Sequence, residues 1–133
     1  MPTRKPTDAE LAILRVLWSR GPSTVRQVAA AMDREGGYTT VLKLLQIMAE
    51  KGLVTRDESA RTHIYEAAYT EDQTQQQLVM DLVERAFDGS AAKLVLQALA
   101  ASKTSPEELA EIKKLLRGAG APAAEDKKPG GTR

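Results

Sequence analysis

The sequence predicts a mainly α-helical protein with one small β-hairpin. Apolar residues recur at helical spacing in six segments, and glycine or proline stands at several of the breaks between them. Two short runs rich in β-branched and aromatic residues lie between the third and fourth segments, as is typical of paired strands. The predicted order is therefore three helices, a hairpin and three further helices.

The composition of the chain excludes several classes of protein. Of its 133 residues, 42% are apolar and 28% are charged, as in a soluble globular protein. The absence of cysteine excludes disulfides and thiolate metal sites and fits a reducing cytoplasm. No apolar run approaches the roughly 18 residues of a membrane span, so no membrane contact is expected. The net charge of +1 by itself indicates no partner.

The first two helices have recognisable end signals. Thr7-Asp8-Ala9-Glu10 has the form of a capping box, and Gly21-Pro22 stops the helix that it begins. The second helix is expected to begin at Ser23 or Thr24 and to break at Gly36-Gly37. The apolar residues with which these helices can form a core are Leu11, Leu14, Leu17, Trp18, Val25, Val28, Ala29 and Met32.

The third helix is expected to begin near Thr39 or Thr40 and to end at Gly52, a favourable residue at that place. At about 100° per residue, its apolar and polar residues gather on opposite sides. The apolar side consists of Val41, Leu44, Leu45 and Met48, and the polar side of Thr39, Lys43, Gln46 and Glu50. This helix therefore has one face for a core and one narrow polar face that is free to contact a partner.

The hairpin is predicted from segments 53–55 and 62–65, which the polar residues 57–60 separate. Because the turn between them lacks glycine, its type is not assigned.

Three helices are predicted in the second half, at about 71–87, 91–101 and 105–117. Ser105-Pro106-Glu107-Glu108 is a capping box with proline at the first helical position, and Gly118 is expected to end that helix. The remainder has much Gly, Pro and Ala and no periodicity, so it is expected to be disordered. The predicted domains are thus 1–70, 71–118 and a tail of 119–133.

The helical region 71–118 is predicted to form a homodimer. Three short amphipathic helices over about fifty residues make a small core, and units of that size usually need a partner. The apolar residues expected to form this contact are Leu78, Leu82, Phe87, Leu94, Leu99, Leu109, Ile112 and Leu116.

Three helices followed by a hairpin is the element order of a winged helix-turn-helix domain. In such a domain the third helix lies in the major groove of double-stranded DNA and the hairpin reaches along the backbone. Lys43 can donate to guanine, and Gln46 can pair with adenine. The predicted DNA contacts are Thr39, Thr40, Lys43 and Gln46 on the third helix, Arg56 and Arg61 in the hairpin, and Arg26 on the second helix.

Plainer interpretations of the same residues stay open. Thr39 and Thr40 can simply cap the helix, and Lys43 and Gln46 can form an ordinary solvated face. His63, the single histidine, is expected to be a strand residue rather than a ligand or base. No nucleophile–base pair and no metal-binding set can be assembled, so neither catalysis nor a metal or other cofactor is expected.

Three segments carry a family resemblance: "TDAELAILRVLWSRGPSTVRQVAAAM", "YTTVLKLLQIMAEKGLV" and "FDGSAAKLVLQALAASKTSPEELAEIKKLL". Over residues 7–117 the chain resembles the penicillinase-repressor family, the BlaI/MecI/CopY-type bacterial regulators. The resemblance implies a dimeric repressor whose winged helix binds a palindromic operator, often at genes for β-lactam resistance or metal export. It assigns recognition-helix roles to Thr39, Thr40, Lys43 and Gln46, and a wing contact to Arg61.

The chain departs from the family pattern at four places. Leu42 and Ile47 stand where members commonly carry polar or basic residues, and Ser59-Ala60 replaces a glycine-containing wing tip. The paired cysteines of the copper-sensing members are absent. Resistance repressors are cleaved by a regulatory protease at an Asn-Phe bond; Gln97-Ala98 stands at that place here, which leaves such a partner open.

Two further functions compete with a repressor. A winged helix can also bind another protein, with Leu42 and Ile47 as apolar anchors. A ligand-sensing DNA-binding regulator would instead need an apolar cavity between the two halves.

Overall fold

The structure is a computed structural model that describes residues 5–32 and 37–123. It is mainly helical with one two-stranded antiparallel hairpin, which confirms the predicted fold class. The elements in chain order are α1 (Asp8–Arg20), α2 (Val25–Met32), α3 (Gly37–Lys51), β1 (Val54–Asp57), β2 (Ile64–Ala67), α4 (Glu71–Ala86), α5 (Ala91–Ala101) and α6 (Pro106–Ala123).

The chain divides into two compact units, Met1–Ala86 and Phe87–Arg133. This division falls after α4, whereas the sequence placed a boundary after residue 70. The packing of the first unit explains the difference, because Thr74 and Val83 of α4 are buried. Trp18 Nε1 also donates a 2.9 Å hydrogen bond to the carbonyl of Tyr69, just before α4 begins.

The core of the first unit is formed by α1, α2, α3 and the hairpin. Apolar residues that recur at helical spacing meet there, as the stripes on the first three helices predicted. The buried members are Ile13, Leu14, Leu17, Val25, Val28, Val41, Leu45, Met48, Leu53, Val54 and Tyr65. Because the core takes up one side of each helix, the opposite side of α3 faces solvent.

The hairpin is attached to the helices by a contact that the sequence did not predict. Its register pairs Val54 with Ala67 and Asp57 with Ile64. Ser23, in the turn between α1 and α2, forms an antiparallel bridge with Tyr65: each backbone N–H donates to the other's carbonyl, at 2.9 and 2.8 Å. The start of α2 and the hairpin are therefore held side by side.

Capping boxes begin four of the helices in the part of the chain that the structure describes. The predicted ones at Thr7/Glu10 and Ser105/Glu108 are both present, with reciprocal hydrogen bonds of 2.9–3.2 Å. Thr24 with Gln27 starts α2 in the same way, and Thr70 with Gln73 starts α4.

Two helix ends differ from the sequence expectation. The structure begins α3 at Gly37, earlier than Thr39, while Gly36 lies outside the described residues. It extends α6 to Ala123, so the expected end at Gly118 is wrong. Gly118 does not adopt the left-handed conformation of a helix-ending glycine, and a glycine inside a helix costs only about 1 kcal/mol. Residues 124–133 of the expected tail lie outside the described residues.

The second unit contains α5 and α6. Ser90 caps α5 by accepting a 3.1 Å hydrogen bond from the N–H of Lys93, yet no residue of α5 is buried. Leucines of both helices are exposed, among them Leu96, Leu109, Leu115 and Leu116. Among the described helices of the whole chain, none has the length and apolar character needed to cross a membrane.

Gly52 ends α3 and is the position where a glycine is most clearly required. Its φ is +84°, and the N–H groups of Gly52 and Leu53 donate to the carbonyls of Ala49 and Met48, which is a Schellman motif. A Cβ here would meet no heavy atom within 4 Å, so only backbone strain opposes a side chain. We expect Gly52→Ala to lower the free energy of unfolding by about 1–2 kcal/mol in urea titrations.

The control for this prediction is Gly52→Asn, since asparagine tolerates the left-handed conformation better than alanine. The free energy of unfolding should fall clearly less in Gly52→Asn than in Gly52→Ala. Equal midpoints for the wild type and the alanine variant would contradict the assigned strain.

Candidate nucleic-acid interface

The outer face of α3 carries the four predicted recognition-helix residues. The structure places Thr39, Thr40, Lys43 and Gln46 on the surface, and all four are exposed. On the opposite side Val41, Leu45 and Met48 are buried, and Leu44 is half-buried. The polar residues therefore form a continuous strip of hydroxyl, ammonium and amide groups, which are the groups that can pair with base edges.

Thr39 and Thr40 do not cap α3, because the helix already begins at Gly37. Both threonines lie inside its first turn. Their hydroxyls are therefore not engaged as caps, and the structure does not support the interpretation of these two threonines as helix caps.

The C-terminal end of α3 is fixed by a buried ion pair. Lys51 Nζ lies 2.8 Å and 2.9 Å from the two carboxylate oxygens of Glu10, in the first turn of α1. Burial by itself would raise the pKa of the Glu10 carboxyl, but hydrogen bonds from Lys51 and Thr7 outweigh it and hold the pKa below its ordinary value. The sequence showed Glu10 as a capping residue only, since nothing local links it to a residue so far along the chain.

A groove of about 480 Å³ lies beside this face, between the N-terminal ends of α2 and α3 and the hairpin. It brings together Arg26 and Arg61, two predicted backbone contacts that are distant in sequence. It also adds residues that the sequence analysis did not assign to the interface. The lining consists of Thr24, Val25, Arg26, Tyr38, Leu42, Arg61, Thr62, His63 and Tyr65, and so includes no carboxylate.

Arg26 lies over the ring of Tyr38 with its guanidinium carbon 5.5 Å from the ring centroid. This cation–π contact holds the guanidinium at the edge of the groove. Because Arg can keep a stacking contact while its N–H groups donate elsewhere, Arg26 can still bind a phosphate from this position.

The two hairpin arginines differ in their surroundings. Arg56 forms an ion pair with Glu58. A hydrogen bond with Tyr65 is the main cause that raises the pKa of Arg56, and a hydrogen bond with Glu58 is the second. Arg61 is exposed and makes no hydrogen bond or ion pair within the described part of the chain. Arg61 is therefore ready to bind an anion, whereas Arg56 must first exchange its present partners.

The wing turn closes without glycine. Asp57 Oδ1 accepts a 2.9 Å hydrogen bond from the N–H of Ser59, and this bond lowers the pKa of the Asp57 carboxyl. Asp side chains commonly stabilise turns in this way. The turn thus projects Arg61 and Thr62 into solvent beside the groove.

The apolar residues near the polar strip do not form a separate docking face. Leu42 is half-buried and packs against the core cluster, and Ile47 is 37% exposed. A pair of exposed anchors, as a protein-binding winged helix would need, is therefore not present at these two positions.

The residues that the structure describes contain no group of three or more His, Cys, Asp or Glu side chains that could hold a metal ion.

Comparison with known proteins identifies relatives over most of the chain. The transcriptional regulator BlaI of Mycobacterium tuberculosis is 37% identical over 92 residues, which cover 67% of this chain and 67% of that protein. The penicillinase repressor of Bacillus licheniformis is 21% identical over 112 residues, covering 83% of this chain and 88% of that protein.

Among solved structures, the transcriptional regulator Tm0710 from Thermotoga maritima aligns with 92% of this chain and 79% of its own. Its TM-score is 0.47 and its sequence identity 16%, so the likeness is distant. The family model described as "Penicillinase repressor", in contrast, matches residues 6–118, which include every assigned site residue. The chain therefore belongs to the penicillinase repressor family.

Proposed function

We propose that the protein is a homodimeric transcriptional repressor that binds a palindromic operator in double-stranded DNA. The observation that carries this proposal is the exposed polar strip of α3, backed by a complete core and flanked by a groove lined with Arg26 and Arg61. Its relatives are named as transcriptional regulators and as a repressor, which supports the same class of function. Acting on chromosomal DNA would place the protein in the cytoplasm.

The roles follow from the position of each side chain. Lys43 and Gln46 lie in the middle of the strip, where a helix in the major groove meets base edges. Thr39 and Thr40 lie in the first turn and can reach bases or phosphates. Arg61 on the wing and Arg26 on α2 lie to the side, where the phosphate backbone would pass, so they add affinity without sequence preference.

Dimerisation is proposed for the helices in 71–118. None of the eight apolar residues assigned to this contact is fully buried within the single chain. Leu116 is 56% exposed, and Leu82 and Leu109 are also exposed. A second copy would cover these side chains, and a twofold dimer places two copies of α3 for the two halves of a palindrome.

The experiment that tests the function is a binding titration with a duplex from the region upstream of the protein's own gene. Specific binding in the nanomolar range, with a steep loss as salt rises, is the expected result. Salt-insensitive binding, or equal affinity for that duplex and a scrambled one, would contradict the proposal.

Two substitutions separate base contacts from backbone contacts. We expect Lys43→Ala to reduce the free energy of binding to the operator by about 1–3 kcal/mol and to reduce that to scrambled DNA by less. Arg61→Ala should weaken binding to both duplexes by a similar factor, because phosphates are the same in each.

The matched control is Lys93→Ala, which removes the same charge from an exposed position in the second unit. It should leave both affinities nearly unchanged. If Lys43→Ala and Lys93→Ala behaved alike, Lys43 would not be a base contact.

A further inference from the structure

The buried ion pair joins the start of α1 to the end of α3, two places that are far apart in the sequence. Glu10 stands in the first turn of α1, and Lys51 is the last residue of α3. The side chain of Glu10 is 3% exposed and that of Lys51 is 16% exposed. Both carboxylate oxygens accept from one ammonium group, and one of them also accepts from the N–H of Thr7 at 2.9 Å.

We propose that Glu10 is a positioning residue for DNA recognition: by holding Lys51, it fixes the direction of α3 so that Lys43 and Gln46 meet the base edges together. This inference rests on the proposed function. Glu10 itself is buried and contacts no DNA in this role.

The other contacts between α1 and α3 cannot define that direction as closely. The two helices share the apolar cluster that contains Leu14, Leu45 and Met48. Apolar burial is strong but non-directional, so it tolerates small changes in helix angle. Two charge-assisted hydrogen bonds to one ammonium group, in contrast, depend on both distance and angle.

The position of the pair strengthens its effect on α3. It lies at the C-terminal end, next to Gly52, where the chain leaves the helix for the wing. A buried ion pair adds little net stability compared with apolar residues, whereas its best-supported role is to fix one arrangement among several. A small rotation of α3 would displace Lys43 and Gln46 from base edges while leaving attraction to phosphates intact.

Electrostatics alone predicts the opposite result from a positioning role. Glu10→Gln removes a negative charge and frees the charge of Lys51, so attraction to DNA phosphates would stay equal or increase. If α3 loses its direction, specific binding weakens instead. Glutamine can still accept the hydrogen bond from Thr7 and so keeps the capping box.

The experiment measures dissociation constants of the full-length wild type and Glu10→Gln, each shown to be folded by circular dichroism at the temperature used. The probes are the operator duplex and a scrambled duplex of the same composition. We expect Glu10→Gln to bind the operator at least about fivefold more weakly than the wild type, as for a base contact that is no longer made. Its affinity for the scrambled duplex should be unchanged. Lys51→Arg, which keeps the charge and two donors, should retain most of the preference for the operator.

Each remaining outcome identifies what has failed. A folded Glu10→Gln with wild-type affinity for the operator would overturn the positioning role and leave the proposed function standing. An equal loss on both duplexes would also overturn it, because general damage to the domain acts on both. A wild type without preference for the operator would refute the proposed function itself. If Glu10→Gln does not fold, the double variant Glu10→Gln/Lys51→Gln is used in its place. The double variant has no unpaired lysine charge and also lacks the ion pair. The same loss of affinity, on the operator only, is expected of it.

Discussion

Leu116→Asp is expected to convert the proposed dimer into monomers and to weaken binding to the proposed operator by about 100-fold or more. Leu116 is 56% exposed in the single chain and lies on the same face of α6 as Leu109 and Ile112. A carboxylate at the centre of an apolar contact would be desolvated without a partner, so the dimer would dissociate. Linked binding of two half-sites commonly raises avidity by 10² or more, and this gain would be lost.

Analytical ultracentrifugation and an operator titration on the same samples measure both effects. The matched control is Lys114→Asp, which also places a carboxylate on α6 but on the side opposite Leu116. It should remain dimeric at the same protein concentration. A dimeric Leu116→Asp with undiminished affinity would show that α6 does not form the subunit contact.

The two faces of α3 could be predicted closely because local periodicity determines them. Val41, Leu45 and Met48 recur at helical spacing, and burying them forces Lys43 and Gln46 outward whatever the neighbouring elements are. Capping boxes are equally local, since both partners lie within four residues of each other. The winged-helix order and the outward strip were therefore predictable from the sequence.

Long-range contacts were not predictable in the same way. Glu10 and Lys51 are separated by 41 positions, and each has a sufficient local explanation as a capping residue or a surface lysine. The bridge between Ser23 and Tyr65 joins a turn to a strand and leaves no periodic trace. The groove containing Tyr38 is lined by residues of α2 and the hairpin, and that bridge joins the start of α2 to the hairpin.

The end of α6 was mispredicted for a different reason. Glycine was treated as a stop signal at Gly118, but a glycine ends a helix when its backbone adopts a positive φ, as Gly21 does after α1 and Gly52 does after α3. Whether the backbone turns there depends on the neighbouring residues as well as on the glycine. Composition alone could not distinguish Gly118 from the other two.

Lys51→Met is expected to lower the free energy of unfolding at pH 7 by about 3 kcal/mol, the lower end for a broken buried ion pair. The lower end applies because the Lys51 side chain keeps some exposure, whereas that of Glu10 is almost fully buried. Methionine preserves most of the apolar stem of lysine, so the loss reports mainly the unpaired carboxylate. Urea unfolding monitored by circular dichroism gives the value.

The pH dependence of this loss separates a charge effect from a packing effect. In the wild type the pKa of Glu10 lies below its ordinary value of 4.5, because the bonds from Lys51 and Thr7 outweigh burial. The stabilisation is therefore complete above pH 4.5 and is lost as the pH falls through the folded pKa. In Lys51→Met the burial of Glu10 is no longer opposed by Lys51, and it favours the neutral form of the Glu10 carboxyl. Glu10 is therefore protonated at a higher pH than in the wild type, and its protonation removes the cost of an unpaired buried charge.

The difference in stability between wild type and Lys51→Met should consequently narrow as the pH is lowered from about 7 towards about 4. Lys43→Met is the matched control, since it makes the same substitution on the exposed side of α3 and should change stability little at either pH. A difference that stayed constant with pH would assign the loss to packing of the lysine stem. Narrowing would show that the charge of Lys51 keeps Glu10 ionised inside the protein, which is the state that the positioning role of Glu10 requires.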